Sequence, residues 1–217
     1  MPEEFNPQAQ ALNERLDGAA PEVLSMLSAL GRRLYFPSGG ILAQGAEARE
    51  KAHTANATIG IATEDGGPMV LPSMESHLAE IEPADAFNYA PPGGRPGLRE
   101  RWREKLDAEN PSLRGKVYGL PVVTSAITHG LMLAGDLFMD PEDRLVLPDK
   151  LWGNYRLSYE VRLGAKIVTY PFYEGGGFGI RGLEQALEEQ AREREKLVVL
   201  LNFPNNPTGY TCSPEEA

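Results

Sequence analysis

Residues 202–209, with the sequence NFPNNPTG, have the polar composition and position most typical of a ligand site in this chain. They follow residues 197–202 (LVVLLN), a continuous apolar run of strand length. Two prolines fix φ in this segment, and the asparagine amides offer hydrogen-bond donors and acceptors. Ligands of open parallel sheets bind just beyond the carboxyl ends of the strands, which places Asn206 where it can contact one. The alternative is an ordinary loop whose asparagines cap its own backbone.

His129 and Cys212 are the other side chains that suggest catalysis. His129 lies one turn into a predicted helix, where a histidine that faces the core or caps the helix is the more common case. Cys212 is the only cysteine, which excludes an intrachain disulfide and a zinc site built from cysteines. Because neither residue has a partner pattern, we assign neither a catalytic role, and we predict no metal site.

Strands and helices alternate through the second half of the chain and would position these residues. Short apolar strands are predicted over residues 121–124, 144–147, 165–170 and 197–202. Helices are predicted over residues 125–139, 155–162 and 180–196. The first of these helices turns Ile127, Leu131 and Phe138 inward. Strands that alternate with helices and are apolar on both faces indicate an α/β fold with a parallel sheet covered on both sides.

The first half of the chain has weaker patterns. Helices are predicted over residues 21–30, with Gly31 as the stop, and over residues 46–55, and a short strand over residues 58–62. Leu98, Trp102 and Leu106 recur every four residues, which indicates one apolar face of a helix.

The composition narrows the class of protein. The 217 residues carry a formal net charge of −10, with a pI of about 4.9. An acidic chain without a basic block argues against nucleic acid or an anionic membrane as the main partner. The sequence has no apolar run of membrane-spanning length and no signal-peptide pattern at its start, so we expect a cytoplasmic enzyme.

Five motifs together resemble the fold-type I pyridoxal-phosphate (PLP) enzymes, and among them the aspartate and aromatic aminotransferases of class I/II. Residues 206–209 (NPTG) match the Asn-Pro-Thr-Gly signature of that family, and residues 148–155 (PDKLWGNY) are similar to its Pro-x-x-x-Trp-Gly-Asn stretch. Residues 124–131 (TSAITHGL) stand where the family has its phosphate loop. Residues 88–99 (NYAPPGGRPGLR) and 56–60 (NATIG) are similar to its tyrosine- and glycine-containing segments. The motifs occur in the family's order.

This resemblance implies the PLP-dependent transferase fold, a mostly parallel sheet sandwiched by helices. Residues 1–20 would form an N-terminal arm and residues 21–72 the N-terminal part of the small domain. Residues 73–217 would form a truncated N-terminal part of the large, PLP-binding domain. The implied protein is a cytoplasmic homodimer that moves an amino group between an amino acid and a 2-oxo acid.

The resemblance also assigns the cofactor contacts. The backbone N–H groups of Ala126 and Ile127 and the Thr128 hydroxyl would bind the PLP phosphate, because a helix start supplies N–H donors and a favourable dipole. The family usually has glycine where Ala126 stands, so the backbone approach is expected to differ slightly. Trp152 would stack on the pyridine ring, and Asn206 would donate its amide to the phenolic oxygen. The alternatives are an ordinary Ser/Thr helix cap and a tryptophan in the core.

Two further contacts follow from the same resemblance. Tyr89 would reach the phosphate of the neighbouring subunit's cofactor, unless it is simply packed in a loop. Gly60 would leave room for the substrate carboxylate. Trp152 and Asn206 would border the substrate as well as the cofactor.

The catalytic groups of the family are not among these residues. The family's Schiff-base lysine, the acid that pairs with the pyridine nitrogen and the substrate-binding arginines all come after the Asn-Pro-Thr-Gly motif. None of the lysines in this chain stands in that lysine's context, so we assign no catalytic residue. Residues 212–217 (CSPEEA) have the composition of a helix start. We therefore expect a fragment of a longer protein, and we expect the fragment alone to be inactive.

Other functions stay open at this point. The same PLP-binding site supports many reactions, so a carbon–sulfur lyase, a cyclase or a decarboxylase would have the same motifs. A non-catalytic aminotransferase-like module is a second class, although the N-terminal 35 residues are too short and acidic for a DNA-binding domain. A doubly wound nucleotide-binding domain is disfavoured, because no Gly-x-Gly-x-x-Gly follows a strand.

Overall fold

The computed structural model describes residues 6–35, 39, 41–56, 58 and 60–217. Its helices are α1 (Pro7–Ala19), α2 (Pro21–Met26), α3 (Ala29–Arg33), α4 (Ile41–Lys51), α5 (Pro72–Leu78), α6 (Pro83–Ala86), α7 (Pro96–Glu109), α8 (Ala126–Phe138) and α9 (Ile180–Ala191). A 3₁₀ turn spans Pro111–Leu113 and a π-helical turn spans Arg156–Val161. The strands are β1 (Thr63–Glu64), β2 (Gly67–Pro68), β3 (Arg144–Pro148), β4 (Lys166–Tyr170), β5 (Tyr173–Glu174), β6 (Gly177–Phe178) and β7 (Val198–Val199).

The chain divides into two compact units. One unit contains Met1–Tyr35 and Ser125–Ala217, and the other contains Phe36–Thr124. The domain boundaries expected from the sequence, after residues 20 and 72, stay predictions.

A three-stranded parallel sheet organises the first unit, with β3 between β4 and β7. Leu145 of β3 is in register with Ile167 on one side and Val198 on the other. Each crossover between parallel strands contains helical structure, the π-helical turn between β3 and β4 and α9 between β4 and β7. The sequence prediction of a parallel α/β sheet is therefore confirmed.

The side chains of β3 alternate between two hydrophobic clusters, one on each face of the sheet. Leu145 and Leu147 are fully buried in a cluster that also contains Met139, Tyr155, Tyr159 and Ala165. Val146 points to the other face, into a cluster with Tyr170, Phe172, Phe178 and Ala186. Because successive side chains of a strand point to opposite faces, a strand buried on both sides reads as a continuous apolar run. This explains why the sequence located β3 correctly.

Several sequence predictions differ from the structure. Within α8, Leu131 packs against the first cluster, but Ile127 is 72% exposed and Phe138 is 62% exposed. The element that α8 packs against is the short π-helical turn, which covers only one side of the helix and leaves the rest of its apolar surface exposed. Residues 121–124 form no strand, and only Val198 and Val199 of the predicted strand 197–202 are paired. The strand predicted over residues 58–62 includes Ile59, which lies outside the described residues.

The helix predicted from Pro21 is interrupted after Met26 and resumes as α3. Ser28 caps this second helix, since its Oγ accepts a hydrogen bond from the Gly31 N–H at 3.0 Å. Gly31 therefore lies inside a helix and does not end one.

The second unit contains the hairpin β1–β2 and helix α7. Asp65 and Gly66 have φ angles of 50° and 79°, the left-handed pair that a two-residue hairpin turn requires. The Arg99 guanidinium of α7 donates to the carbonyl oxygens of Pro121 and Leu120 at 2.6 and 3.4 Å. No helix within the described residues is long and apolar enough to span a bilayer.

Candidate functional site

The Asn-Pro-Thr-Gly segment forms a closed loop after β7. The Asn205 N–H donates to the Tyr210 carbonyl at 2.8 Å, and the Gly209 N–H donates to the Asn205 carbonyl at 2.6 Å. The Asn205 Oδ1 accepts hydrogen bonds from the Thr208 N–H at 3.2 Å and from the Thr208 hydroxyl at 2.8 Å. The peptide bonds that precede Pro204 and Pro207 are both cis. Asn206, the residue singled out in the sequence, is exposed at the tip of this loop.

A second loop, which contains Trp152, follows the carboxyl end of β3 and is connected to the first. The Asn205 Nδ2 donates to the Lys150 carbonyl at 3.2 Å. On its other side the loop is held by Asp149, whose Oδ1 accepts from the Phe172 N–H at 2.9 Å. Asp149 also pairs with the Lys150 ammonium at 2.7 Å. The loops that carry Trp152 and Asn206 therefore meet at the carboxyl ends of neighbouring strands, where ligands of parallel sheets bind.

The charge of Asp149 is stabilised in this position. Burial raises the pKa of the Asp149 carboxyl, but hydrogen bonds from Lys150 and from the Phe172 N–H outweigh that effect. The net result is a pKa below the usual value for aspartate. Asp149 is therefore ionised at neutral pH. Its main-chain N–H also donates to the Tyr170 carbonyl at 2.8 Å, which holds the start of the Trp152 loop against the end of β4.

Trp152 is half-buried between this loop and the first hydrophobic cluster. Its ring meets that of Tyr155 edge to face, with ring centroids 5.6 Å apart and an interplanar angle of 89°. Such an arrangement is favourable for aromatic pairs and fixes the plane of the indole.

The N-terminus of α8 offers backbone N–H groups that no side chain of its N-cap residue satisfies. Ser125 is the N-cap, and its side chain makes no capping hydrogen bond. Its own N–H donates to Nδ1 of His129 at 3.1 Å. His129 is thus an exposed residue that accepts a backbone hydrogen bond at a helix start, as the non-catalytic alternative proposed. Ile127 is exposed and Thr128 is half-buried at this end of the helix.

Contacts in the middle of α8 attach it to the rest of the first unit. The Tyr159 hydroxyl, on the π-helical turn, donates to the Leu131 carbonyl at 2.9 Å. Gly135 is buried, and a Cβ at this position would lie 2.6 Å from Leu163 Cδ1 and 3.1 Å from Tyr159 Cε1. The absence of a side chain allows the close approach, and Leu131 and Trp152 pack against the same hydrophobic cluster.

Tyr89 and Gly60 lie in the second unit, which is described by itself. Tyr89 is fully exposed, and its N–H donates to the Asn88 Oδ1 at 2.9 Å. It borders a cavity of about 260 Å³ together with Asp85 and Arg95, which form an ion pair. Gly60 is exposed, and a Cβ there would meet no atom within 4 Å. The roles assigned to Tyr89 and Gly60 stay predictions.

A larger cavity lies away from the residues predicted to bind a ligand. It has a volume of about 310 Å³ and lies between the C-terminal half of α8 and the start of β7. Its lining includes Phe138, Tyr159 and Lys196. Neither Trp152, Thr128 nor Asn206 lines it, so it adds nothing to their assignment.

Two residues that support the loop after β7 were not singled out in the sequence. Asn205 is one, and its signal is weak because it stands beside the more conspicuous Asn206. The other is Glu216, whose carboxylate accepts from the N–H groups of Phe178 and Ser213 at 2.8 and 2.9 Å and from the Tyr210 hydroxyl at 2.9 Å. A Ser-x-x-Glu spacing is the sequence signal of such a reciprocal cap.

The reciprocal part of that cap is present as well, since the Glu216 N–H donates to the Ser213 Oγ at 3.3 Å. Hydrogen bonds from the N–H groups of Ser213 and Phe178, followed by the one from the Tyr210 hydroxyl, hold the pKa of Glu216 below its usual value. The same carboxylate raises the pKa of the Tyr210 hydroxyl, chiefly by hydrogen bonding. Glu216 therefore joins the loop after β7 to the β5–β6 hairpin.

Ala126, at the start of α8, has a φ of 62°, in the left-handed region that costs a non-glycine residue about 1–2 kcal/mol. We expect Ala126→Gly to raise the free energy of unfolding by up to about 1 kcal/mol, because the relief of strain exceeds the added flexibility of the unfolded chain. Urea denaturation measures this difference.

The matched control is Ala134→Gly, in the exposed middle of the same helix, where glycine should instead lower the free energy of unfolding by about 1 kcal/mol. If Ala126→Gly and Ala134→Gly lower the free energy of unfolding equally, Ala126 does not have the left-handed conformation described here.

Known proteins with similar sequences are aminotransferases. A probable aspartate/prephenate aminotransferase from Aquifex aeolicus is 36% identical over 132 residues, which are 59% of this chain and 31% of that protein. An LL-diaminopimelate aminotransferase from Dehalococcoides mccartyi is 30% identical over 146 residues, which are 64% of this chain and 36% of that protein. The matched segment is thus about a third of the length of these curated relatives.

Solved structures have the same fold. An aminotransferase from Anaerococcus prevotii superposes with a TM-score of 0.74 at 27% identity, over 88% of this chain and 48% of that one. A Thermus thermophilus aspartate aminotransferase with maleate has a TM-score of 0.63 at 23% identity, over the same shares of the two chains, and at that identity it supports the fold alone. The chain spans about half the length of these structures.

The sequence model of the family described as aminotransferase class I and II matches residues 58–217, which include both loops, the start of α8 and the whole parallel sheet. This match covers well over half of the chain. The chain therefore belongs to the aminotransferase class I and II family.

Proposed function

We propose that the natural protein that carries this chain is a PLP-dependent aminotransferase, which moves an amino group between an amino acid and a 2-oxo acid. The observation that carries the proposal is the hydrogen bond between Asn205 and the Lys150 carbonyl, at 3.2 Å. This bond joins the Trp152 loop to the Asn206 loop at the ligand-binding edge of the sheet. The relatives' names, among them aspartate/prephenate and LL-diaminopimelate aminotransferases, support the same reaction class.

The chemistry of the donor set fits a phosphorylated pyridine. A phosphate requires several N–H donors and positive potential, and the first turn of α8 supplies both without a side-chain cap from Ser125. A flat aromatic ring favours stacking on another, which the half-buried Trp152 offers. A phenolic oxygen accepts a hydrogen bond from an amide, and Asn206 is exposed at its loop tip.

The division of roles follows from these properties. The N–H groups of Ala126 and Ile127 and the hydroxyl of Thr128 bind the phosphate. The Trp152 indole fixes the plane of the ring and excludes water from one side of it. Asn206 donates its amide to the phenolic oxygen and so favours the ionised form of that oxygen. When bound, PLP supplies the electron-withdrawing ring that stabilises negative charge at the α-carbon of an amino acid.

The assembly and location are part of the proposal. Tyr89 reaches the cofactor of a second copy of the chain, so the active protein is a homodimer, and Gly60 leaves space for the substrate carboxylate. Sedimentation of the natural protein tests the dimer. The cytoplasmic location expected from the sequence stays a prediction, which fractionation of the source cells tests.

The two tryptophans of the chain allow a direct test of the site. Trp152 lies in the proposed site and Trp102 lies in α7 of the other unit. We expect the quenching by PLP to be as large in Trp102→Phe as in the natural protein, and to be smaller in Trp152→Phe, because the Trp152 contribution is then missing. We expect Trp152→Ala to weaken PLP binding about two- to tenfold, since an aromatic stacking contact contributes about 0.5–1.5 kcal/mol.

The reaction itself is tested by incubating the natural protein with PLP, aspartate or another amino acid, and 2-oxoglutarate, with detection of the new amino acid. Asn206→Ala should lower the rate of amino transfer. Equal PLP affinity in the wild type and in Trp152→Ala would contradict the proposed site, and PLP binding without amino transfer to any 2-oxo acid would contradict the proposed reaction.

A further inference from the structure

Asn205 is buried to a degree that is unusual for an asparagine in a loop. It is 4% exposed, and in the described part of the chain Ser158 is the other polar residue classed as buried. A buried amide that lacks partners costs about 1–3 kcal/mol. Asn205 avoids this cost, because its Nδ2, its Oδ1, its main-chain N–H and its main-chain carbonyl each have a hydrogen-bond partner.

The partners of Asn205 fall into two groups with different effects. The bonds to Thr208, Gly209 and Tyr210 close residues 205–210 into a loop, which fixes the direction in which Asn206 leaves it. The Nδ2 bond to the Lys150 carbonyl reaches a segment 55 residues earlier in the chain, two residues before Trp152. One carboxamide therefore shapes one loop with its oxygen and holds a second loop with its nitrogen.

We propose that Asn205 is a positioning residue, which sets the Trp152 indole and the Asn206 amide at a fixed spacing so that both contact the same cofactor ring. The inference rests on the proposed function and adds a residue to it. The side chain of Asn205 is engaged with Lys150 and Thr208 and is directed into the protein, so its effect on the cofactor is transmitted through its neighbours.

The chemistry of the site explains why an asparagine is required. Aspartate has the same shape and keeps the acceptor toward Thr208, but it places a second oxygen against the Lys150 carbonyl and buries a charge. Alanine removes both side-chain bonds and adds no charge. In either case the two loops lose their connection, and Asn206 is free to turn away from the position that its neighbour imposes.

The experiment uses the natural protein loaded with PLP, in five variants: Asn205→Asp, Asn205→Ala, Asn206→Ala, the double variant Asn205→Ala/Asn206→Ala, and Ser158→Ala as the matched control for a change at a buried polar residue. Two quantities are measured, the PLP dissociation constant and the pH midpoint of the visible absorption of bound PLP. The second quantity depends on the hydrogen bond to the phenolic oxygen, so a purely structural role of Asn205 does not change it.

We expect Asn205→Asp to weaken PLP binding about tenfold or more, the equivalent of one lost hydrogen bond. We expect it to raise the pH midpoint in the same direction as Asn206→Ala, because Asn206→Ala removes the donor that favours the ionised oxygen and a change at 205 lets that donor turn away. In the double variant the midpoint should equal that of Asn206→Ala alone. Ser158→Ala should leave the midpoint unchanged. Asn205→Ala removes the hydrogen bond to Lys150 without adding a charge, so it should shift the midpoint in the same direction and separates the loss of positioning from the charge of aspartate.

Three results would overturn the inference. The first is that Asn205→Ala leaves the pH midpoint unchanged and the PLP dissociation constant within twofold of the wild type. The second is that the shifts caused by the changes at 205 and 206 add fully in the double variant, which means that Asn205 does not act through Asn206. The third is that the control Ser158→Ala shifts the midpoint as much as Asn205→Asp. Failure of the proposed function is a different result, in which the wild type does not bind PLP at all.

Discussion

Replacement of Phe172 by alanine is expected to lower the free energy of unfolding by about 3–5 kcal/mol, the usual cost of removing a buried phenylalanine. Phe172 is 1% exposed. Its ring lies 4.8 Å from that of Tyr173, 5.5 Å from Phe178 and 5.7 Å from Tyr210, measured between centroids. Removing it leaves a cavity among rings that cannot all move inward. Urea denaturation of the natural protein, followed by circular dichroism, measures the change.

Phe138→Ala is the matched control for this variant. The Phe138 side chain is 62% exposed at the end of α8, so its removal should change the free energy of unfolding by less than about 0.5 kcal/mol. A loss of less than 1 kcal/mol in Phe172→Ala would contradict the packing of the second hydrophobic cluster.

We expect Gly179→Ala to lower the free energy of unfolding by about 2–3 kcal/mol, within the range for overpacked sites. A Cβ on residue 179 would lie 2.2 Å from the Pro171 carbonyl oxygen and 3.3 Å from that of Phe172. These are backbone atoms, so a rotamer change cannot relieve the clash. The Gly179 N–H also donates to the Phe172 carbonyl at 2.8 Å, which holds the two segments together.

Gly119→Ala is the control, since a Cβ at residue 119 would meet no atom within 4 Å. The same unfolding experiment should leave this variant within about 0.5 kcal/mol of the wild type or slightly above it. If the two alanine variants prove equally stable, the backbone of Pro171 and Phe172 does not approach the start of α9 as closely as the structure has it.

The parallel sheet was predictable because the continuous apolar sequence of β3 is by itself a sign of a strand that is buried on both faces. Leu145, Val146 and Leu147 are all buried, and a strand covered on both faces must be apolar at every position. The exposure of Ile127 and Phe138 was not predictable in this way. Periodicity shows which residues share a helix face, but the width of the surface that covers the helix depends on the element it packs against, here the π-helical turn, which the helix's own sequence does not reveal.

In the candidate site, too, residues that belong to local sequence motifs were predictable, and a residue defined by a long-range contact was not. Asn206 and Trp152 could be proposed from the sequence because each belongs to a specific string of residues, and their roles stay predictions. Asn205 was not proposed, because its contact with the Lys150 carbonyl lies across 55 residues and no local pattern predicts it. The hydrogen bond from the Ser125 N–H to His129 agrees with the non-catalytic alternative, since N–H groups at a helix start can donate to a nearby imidazole.

The close contact at Gly135 links the position of the first turn of α8 to the size of the side chain at residue 135. The helix rests against the π-helical turn at this residue, where a Cβ would be 2.6 Å from Leu163. The first turn of α8 lies nine residues earlier, or about 13 Å along the axis at 1.5 Å per residue. A bulkier residue at the contact would pivot the helix as a rigid lever, so a small tilt there would swing its N–H groups out of alignment with a bound anion.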